Sequence, residues 1–222
     1  MTRMTEPLRE PGHEPGGGSR VWSWAASDAE AEARCREADQ LVAQRLRVVR
    51  YFMIDYRRHE LRPELIDSGP RLVDDEVERR EPTWRENGFD ALDYGLELVT
   101  DSGTTFSLTW DPPGSQEGIG LQPVPMLGSG VHADADVAIW DVGDCTPSWA
   151  PMIGGLIVGV DLHYTTWDAE EGPLWCPRVT IHGERGDVEI VMGDVRGEAL
   201  VPSADNVAVL HPGTPLPDWH IS

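Results

Sequence analysis

The sequence predicts an α+β fold that is mainly β, with one N-terminal helix packed on a curled antiparallel sheet or on a small sandwich or barrel. Short runs of β-branched and aromatic residues recur at spacings of roughly ten residues, with turn signals between them, which is typical of antiparallel sheets. One long helical pattern, at about 28–44, precedes the first of these runs. These two observations define the fold class.

The N-terminal end divides into a tail and a helix. Segment 1–20 is rich in Pro, Gly and Glu and has few apolar residues to bury, so we expect a disordered tail there. In the predicted helix 28–44, Ser27 is a good N-cap and Glu30 follows at the spacing of a capping box. Residues 21–222 are long enough for one sizeable core, and we expect a single globular domain.

The β pattern begins at 46–56, where β-branched and aromatic residues are concentrated. The charged stretch 57–87 is interrupted by prolines, and we expect a long surface excursion there rather than a short helix near 72–80. The further expected strands are 94–99, 105–110, 118–124, 152–167, 176–182, 187–192 and 206–210, with 125–150 as a loop and 212–222 as an extended, Pro-rich end.

The charge of the chain is strongly negative and unevenly distributed. The net charge is −21, and all 18 basic residues are Arg. Residues 86–222 hold three Arg against 22 acids, a balance of −19. Such a field repels nucleic acid and anionic membranes and attracts basic partners, although simple solubility is a competing explanation. The lack of Lys excludes Schiff-base enzymes and a Walker A phosphate loop.

The cysteine pattern predicts a reducing compartment. Cys35, Cys145 and Cys176 are odd in number and lack C-x-x-C spacing. The N-terminus has no apolar signal-peptide region, and the longest near-apolar run, 152–160, is too short to span a bilayer. We therefore expect a cytoplasmic protein. The use of Arg without Lys fits high-GC coding, and we expect a bacterial source.

Polar side chains alternate with apolar ones along three of the predicted strands. If 157–165, 178–182 and 187–192 are neighbours, one face collects Asp161, His163, Arg178, Thr180, His182 and Glu189, flanked by Trp167 and Trp175, while Val158, Val160, Leu162 and Tyr164 share the opposite face. This polar face is the candidate binding site. The competing interpretation is a solvated sheet face, which antiparallel sheets commonly have.

As a catalytic pocket, the polar face would use Asp161, His163 and Glu189 as acid–base groups, with Asp161 orienting His163. Arg178 would hold a carboxylate or phosphate, and Thr180, His182, Trp167 and Trp175 would complete the binding site. In either interpretation we expect Arg178 to lie against Asp161 or Glu189, because cations are rare in this part of the chain.

Two other patterns carry weaker signals. His132, Asp134 and Asp136 can hold a divalent metal in principle, but they lack the glycine and the distal Glu of an EF-hand loop, so we expect an acidic surface loop and no metal site. The nine Trp residues show no stacking period, and we expect most of them in the core. We find no nucleophile elbow, no dinucleotide fingerprint and no H-E-x-x-H motif.

Two functions therefore remain open, and with them the question of whether the chain is an enzyme. The first is an acidic cytoplasmic binding protein that neutralises a basic protein, as immunity proteins and antitoxins do. The second is a cofactor-free enzyme of bacterial specialised metabolism, which would act on an aromatic or cationic small molecule through carboxylates and His. Neither function involves nucleic acid or a membrane, and the oligomeric state stays open.

Overall fold

Two β-sheets form the framework of the chain in the computed structural model, which describes residues 25, 27–56, 69–110, 118–166, 174–203 and 206–220. The expected disordered tail, 1–20, lies outside the described residues. The mainly β class with an N-terminal helix is confirmed. Within the described residues, neither sheet closes on itself into a barrel.

The first sheet has six strands in the order β2-β7-β1-β4-β5-β6. Their bounds are β1 Leu46–Ile54, β2 Arg71–Leu72, β4 Gly95–Thr100, β5 Thr105–Trp110, β6 Ile119–Gln122 and β7 Val137–Asp141. Strand β2 pairs parallel to β7, so this sheet is mixed. The expectation of purely antiparallel pairing is therefore wrong at this edge. Strand β7 lies between β1 and β2, and both β2 and β7 run antiparallel to β1, so these two strands are parallel to each other.

The second sheet has five antiparallel strands in the order β3-β13-β10-β9-β8. Their bounds are β3 Phe89–Leu92, β8 Ile157–Thr166, β9 Leu174–Gly183, β10 Gly186–Met192 and β13 Val207–Leu210. A separate hairpin, β11 Asp194–Arg196 and β12 Ala199–Val201, lies between β10 and β13 in the chain. Strands β8, β9 and β10 are therefore neighbours, which is the condition on which the candidate polar face depends.

The helices in the described part of the chain are short. Helix α1 spans Asp28–Ala38 and continues as a 3₁₀ turn, Asp39–Leu41; helix α2 spans Glu76–Arg80, and a second 3₁₀ turn spans Asp218–His220. The Ser27 Oγ accepts a hydrogen bond from the Glu30 backbone N–H at 3.3 Å, which confirms the predicted N-cap. The predicted end at 44 is wrong, because Ala43 has a φ of 64° and its N–H donates to the carbonyl of Ile157, the first residue of β8.

Buried side chains from both sheets form one main core. Among its members are Tyr51, Leu96 and Leu108 from the six-stranded sheet, and Val179 and Ile190 from the five-stranded sheet. Alternation along the strands sends the other set of side chains outward from each sheet. The outer face of the five-stranded sheet is divided: Val191, Ala208 and Leu210 form a small apolar cluster, and the candidate polar face occupies β8, β9 and the start of β10.

Several elements differ from the sequence-based prediction. The expected loop 125–150 contains β7, and the unassigned stretches contain β3 and the β11–β12 hairpin. The 57–87 excursion includes helix α2, for which Asp75 Oδ1 caps the Val77 and Glu78 backbone N–H groups. No helix in the described part of the chain is both long and apolar enough to cross a membrane.

Candidate functional site

The register of β8, β9 and β10 brings the predicted polar residues together on one outer face. Across β8 and β9, His163 lies opposite Arg178 and Asp161 lies opposite Thr180. Across β9 and β10, Glu189 lies opposite Thr180, and His182 lies opposite Asp187. The polar face is therefore a grid of side chains on three strands, and Asp187 is a member that the sequence analysis did not single out.

A directed chain of hydrogen bonds crosses this grid. Arg178 Nη2 donates to His163 Nδ1 at 2.9 Å, because a guanidinium has no acceptor. His163 then carries its ring proton on Nε2, which lies 2.7 Å from Thr180 Oγ1. The Thr180 hydroxyl in turn donates to Glu189 Oε2 at 3.0 Å. The chain fixes one tautomer of His163 and occupies both of its ring nitrogens.

The environment of His163 favours the neutral imidazole. Burial lowers the pKa of His163 below its usual value, and the neighbouring Arg178 cation lowers it further. This direction agrees with the hydrogen-bond chain, in which Nδ1 must be an unprotonated acceptor. His163 is thus held as a neutral linker between Arg178 and Thr180, and it has no free lone pair to act as a general base.

His182 lies between two carboxylates in the next row of the grid. Its Nε2 is hydrogen-bonded to Asp161 Oδ2 at 3.0 Å, and its Nδ1 lies 3.0 Å from Asp187 Oδ1. These contacts, with the Asp161 hydrogen bond first, raise the pKa of His182 above its usual value. The side chains of Asp161 and Asp187 are 63% and 55% exposed, so this part of the face is open to solvent.

A glycine makes room for the His182 ring. Gly159 lies opposite His182 across the β8–β9 pair, and a Cβ at this position would stand 3.2 Å from His182 Cδ2. The ring therefore packs over the bare backbone of β8, between the two carboxylates. A β-bulge between Ile157 and Gly159 also turns Val158 outward, where it is 55% exposed, so its predicted place on the apolar side of β8 is wrong.

Two of the predicted contacts are not formed. Asp161 is bonded to His182 and does not orient His163. Arg178 does not lie against Asp161 or Glu189. The only described hydrogen-bond partner of its side chain is His163, and its buried Nε has none among the described residues. The register explains both results, because His163 is the residue directly opposite Arg178 and occupies the space that a carboxylate would need.

The tryptophans contribute little to this face in the described residues. Trp175 is half-buried and packs against the main core, and Trp167 lies outside the described residues. Trp84, Trp140 and Trp149 are buried, which confirms the core assignment for these three. In the part of the chain that the structure describes, the polar face is therefore built from charged and hydroxyl groups rather than from aromatic side chains.

The H-x-D-x-D string lies on an exposed loop. The side chains of His132 and Asp134 are 91% and 95% exposed, and Asp136 Oδ1 accepts a hydrogen bond from the Gly69 backbone N–H at 2.7 Å. Within the described residues, no group of three or more His, Cys, Asp or Glu side chains has a geometry that could hold a metal ion.

The structure also contains a buried polar network that the sequence analysis missed. Asp90 is fully buried and accepts hydrogen bonds from the Tyr51 hydroxyl at 2.9 Å and from His211 Nε2, which lies 2.8 Å away. Trp149 Nε1 donates to the Tyr51 oxygen at 2.9 Å. Burial raises the pKa of Asp90, and its hydrogen bonds to His211 and Tyr51 oppose this rise. The four residues are far apart in the sequence, and no spacing signal links them.

Comparison with known proteins found no family model, no curated protein and no solved structure that matches this chain.

Proposed function

We propose that this chain is an acidic binding protein that captures a basic partner protein through the outer face of β8, β9 and β10. The observation that carries the proposal is the open pair of carboxylates, Asp161 and Asp187, which flank His182 and are 63% and 55% exposed. An exposed carboxylate pair on a rigid sheet can accept Lys or Arg side chains with little loss of its own freedom.

The overall charge supports the same partner class. Residues 86–222 have a balance of −19, and one of their three Arg residues, Arg178, is engaged with His163. A negative field of this size accelerates encounters with basic proteins and disfavours nucleic acid and anionic membranes. The three cysteines are free thiols, which supports a reducing, cytoplasmic location.

Affinity capture from an extract of the source cell tests this proposal. The full chain, the D161N/D187N variant and a control variant, D134N/D141N, are immobilised in parallel, and bound protein is eluted with increasing NaCl. The two variants lose the same formal charge, but Asp134 and Asp141 are exposed on the side of the six-stranded sheet. We expect one basic protein to be retained by the wild type and the control and lost by D161N/D187N. Equal retention by both variants would contradict the proposal that the outer face of β8, β9 and β10 binds the partner.

A cofactor-free acid–base enzyme is the second candidate function, and the Asp90–His211 pair favours it. The buried Asp90 carboxylate holds His211 Nε2, and no described residue hydrogen-bonds to Nδ1 of the same ring. A ring oriented in this way by a carboxylate can act as a general base. The trio Asp161, His163 and Glu189 supports this function less well, because both ring nitrogens of His163 are occupied.

Hydrolysis of a panel of activated aromatic esters, compared between wild type, His211→Asn and His163→Asn, tests the enzyme candidate. We expect an enzyme of this kind to lose activity in His211→Asn and keep it in His163→Asn. The absence of turnover above the buffer rate in the wild type would count against it.

A further inference from the structure

The neighbours of the two histidines of the polar face favour opposite protonation states. Both ring nitrogens of His163 are used in a chain that requires a neutral ring. Both ring nitrogens of His182 lie 3.0 Å from carboxylate oxygens, and a ring nitrogen at this distance from a carboxylate needs a proton between the two atoms. Only the imidazolium form satisfies Asp161 and Asp187 together.

We infer that His182 is a removable cation within the binding face: it bridges Asp161 and Asp187 in the free protein, and a basic partner that engages these carboxylates displaces its proton into bulk water. This inference rests on the proposed function, because it assigns the same two carboxylates to the partner. The imidazolium occupies the position that a Lys or Arg side chain of the partner would need. Binding and protonation of His182 therefore compete.

Among the charged groups of this face, His182 is the one whose charge can change most readily. The charged and titratable groups around His182 include Asp161 and His163 on β8, Arg178 on β9, Glu184 and Arg185 in the β9–β10 turn, and Asp187 and Glu189 on β10. Helix α1 and its 3₁₀ extension, which pack against β8, add Cys35 and its acidic neighbours Glu32 and Asp39. Among these side-chain types, histidine is the one whose ordinary titration falls between about pH 5 and 8. His163 is held neutral by its hydrogen bonds. Loss of the His182 proton thus makes the face more negative by one charge.

The expected consequence is an affinity for basic ligands that rises with pH. One charge at about 5 Å from a ligand cation in a water-like dielectric changes the dissociation constant about fourfold. The binding of a basic ligand should tighten by this factor as pH rises through the His182 titration. By linkage, binding should release protons when His182 starts protonated.

The first arm of the test follows the histidine Cε1–H signals of the free full-length protein by NMR, with His182 assigned through His182→Asn. We expect the His182 midpoint to lie above the ordinary histidine value and to fall in Asp187→Asn. A wild-type His182 midpoint at the ordinary value would overturn the inference and leave the proposed function untouched.

The second arm uses octa-arginine as the basic ligand in calorimetry at about pH 6.5, the ordinary His midpoint. Titrations in two buffers of different ionisation enthalpy measure protons released on binding. We expect release from the wild type and from His132→Asn, and none from His182→Asn. Binding without proton release overturns the inference alone. No binding, or binding unchanged in D161N/D187N but reduced in D134N/D141N, counts against the proposed function instead.

Discussion

Arg178 donates a hydrogen bond to His163 Nδ1 at 2.9 Å, and no described carboxylate lies within ion-pair distance of Arg178. In a region with 22 acids and three Arg, this cation is used to fix an imidazole rather than to neutralise a charge. The arrangement aligns the donors from Arg178 through His163 and Thr180 to Glu189. The more exposed carboxylates of this face, Asp161 and Asp187, lie against His182 instead.

Arg178→Ala should raise the pKa of His163 toward its ordinary value, because the mutation removes a cation that disfavours the imidazolium. The folded-state pKa of His163 is depressed, so the wild type loses stability as pH falls from the unfolded value toward the folded one. The variant should lose less stability over that range. Histidine NMR titration and urea unfolding at several pH values measure both effects. An unchanged His163 midpoint would contradict the hydrogen-bond assignment.

The same substitution should cost about 1 kcal/mol of unfolding free energy near neutral pH, since it leaves the half-buried Nδ1 of His163 without a partner. A loss near 3–5 kcal/mol would instead indicate a buried charge pair, which the geometry does not contain. His132→Ala, on an exposed loop, serves as the reference for a surface substitution.

Thr180→Val should destabilise the fold by about 1–3 kcal/mol, because the buried hydroxyl links His163 to Glu189 and valine cannot replace either hydrogen bond. Thr180→Ser keeps the hydroxyl and should lose much less. Urea unfolding of the two variants makes the comparison. A loss in Thr180→Ser as large as that in Thr180→Val would contradict the expectation that the hydroxyl makes the larger contribution at this position.

Tyr51→Phe should cost about 2–3 kcal/mol, because it leaves two buried groups, Asp90 Oδ2 and Trp149 Nε1, without their partner. Tyr56→Phe is the matched control. The Tyr56 hydroxyl also bonds to an aspartate, Asp93, but its side chain is 60% exposed and water can replace the lost bond. Thermal and denaturant unfolding of both variants should show a clearly larger loss for Tyr51→Phe. Similar losses would contradict a structural role for the Asp90 network.

Ser27→Ala should cost about 1 kcal/mol, because it removes the side-chain acceptor for the Glu30 backbone N–H at the start of α1. Ser27→Asn keeps an acceptor at the same place and should be close to wild type. Denaturant unfolding followed by circular dichroism compares the two. If Ser27→Ala were as stable as Ser27→Asn, the Ser27 hydrogen bond would make no measurable contribution to the stability of the fold.

Local patterns in the sequence predicted a large part of this fold. The structure confirms the N-cap at Ser27, the strand at 46–56 and the alternation along 178–182 and 187–192, and along 157–165 it confirms the alternation except at Val158. Each of these predictions depends on neighbours within a few residues. Strands β3 and β7 were missed, since they are short and lie among Gly, Asp and Pro residues that favour loops. Both strands form by pairing with strands that are distant in the sequence: β7 pairs with β1, and β3 pairs with β13.

The residues of the candidate site could be predicted from the sequence, but their hydrogen-bond partners could not. Alternation alone placed His163, Arg178, Thr180 and Glu189 on one face. The choice of partners depends on the cross-strand register and on the bulge at Val158, which no local pattern specifies. For the same reason the Asp90 network, which joins β1 and β3 with the segments that follow β7 and β13, has no signature in the sequence.

The most direct test of the account is the affinity of the captured basic protein for three forms of the full chain: wild type, D161N/D187N and D134N/D141N. Calorimetry at low and at physiological salt measures each dissociation constant. The account predicts that D161N/D187N weakens binding about tenfold or more and flattens its salt dependence, while the control, with the same loss of charge, changes binding by about twofold or less. Equal weakening by the two variants would show that only the overall charge matters, and would contradict a binding face on β8, β9 and β10.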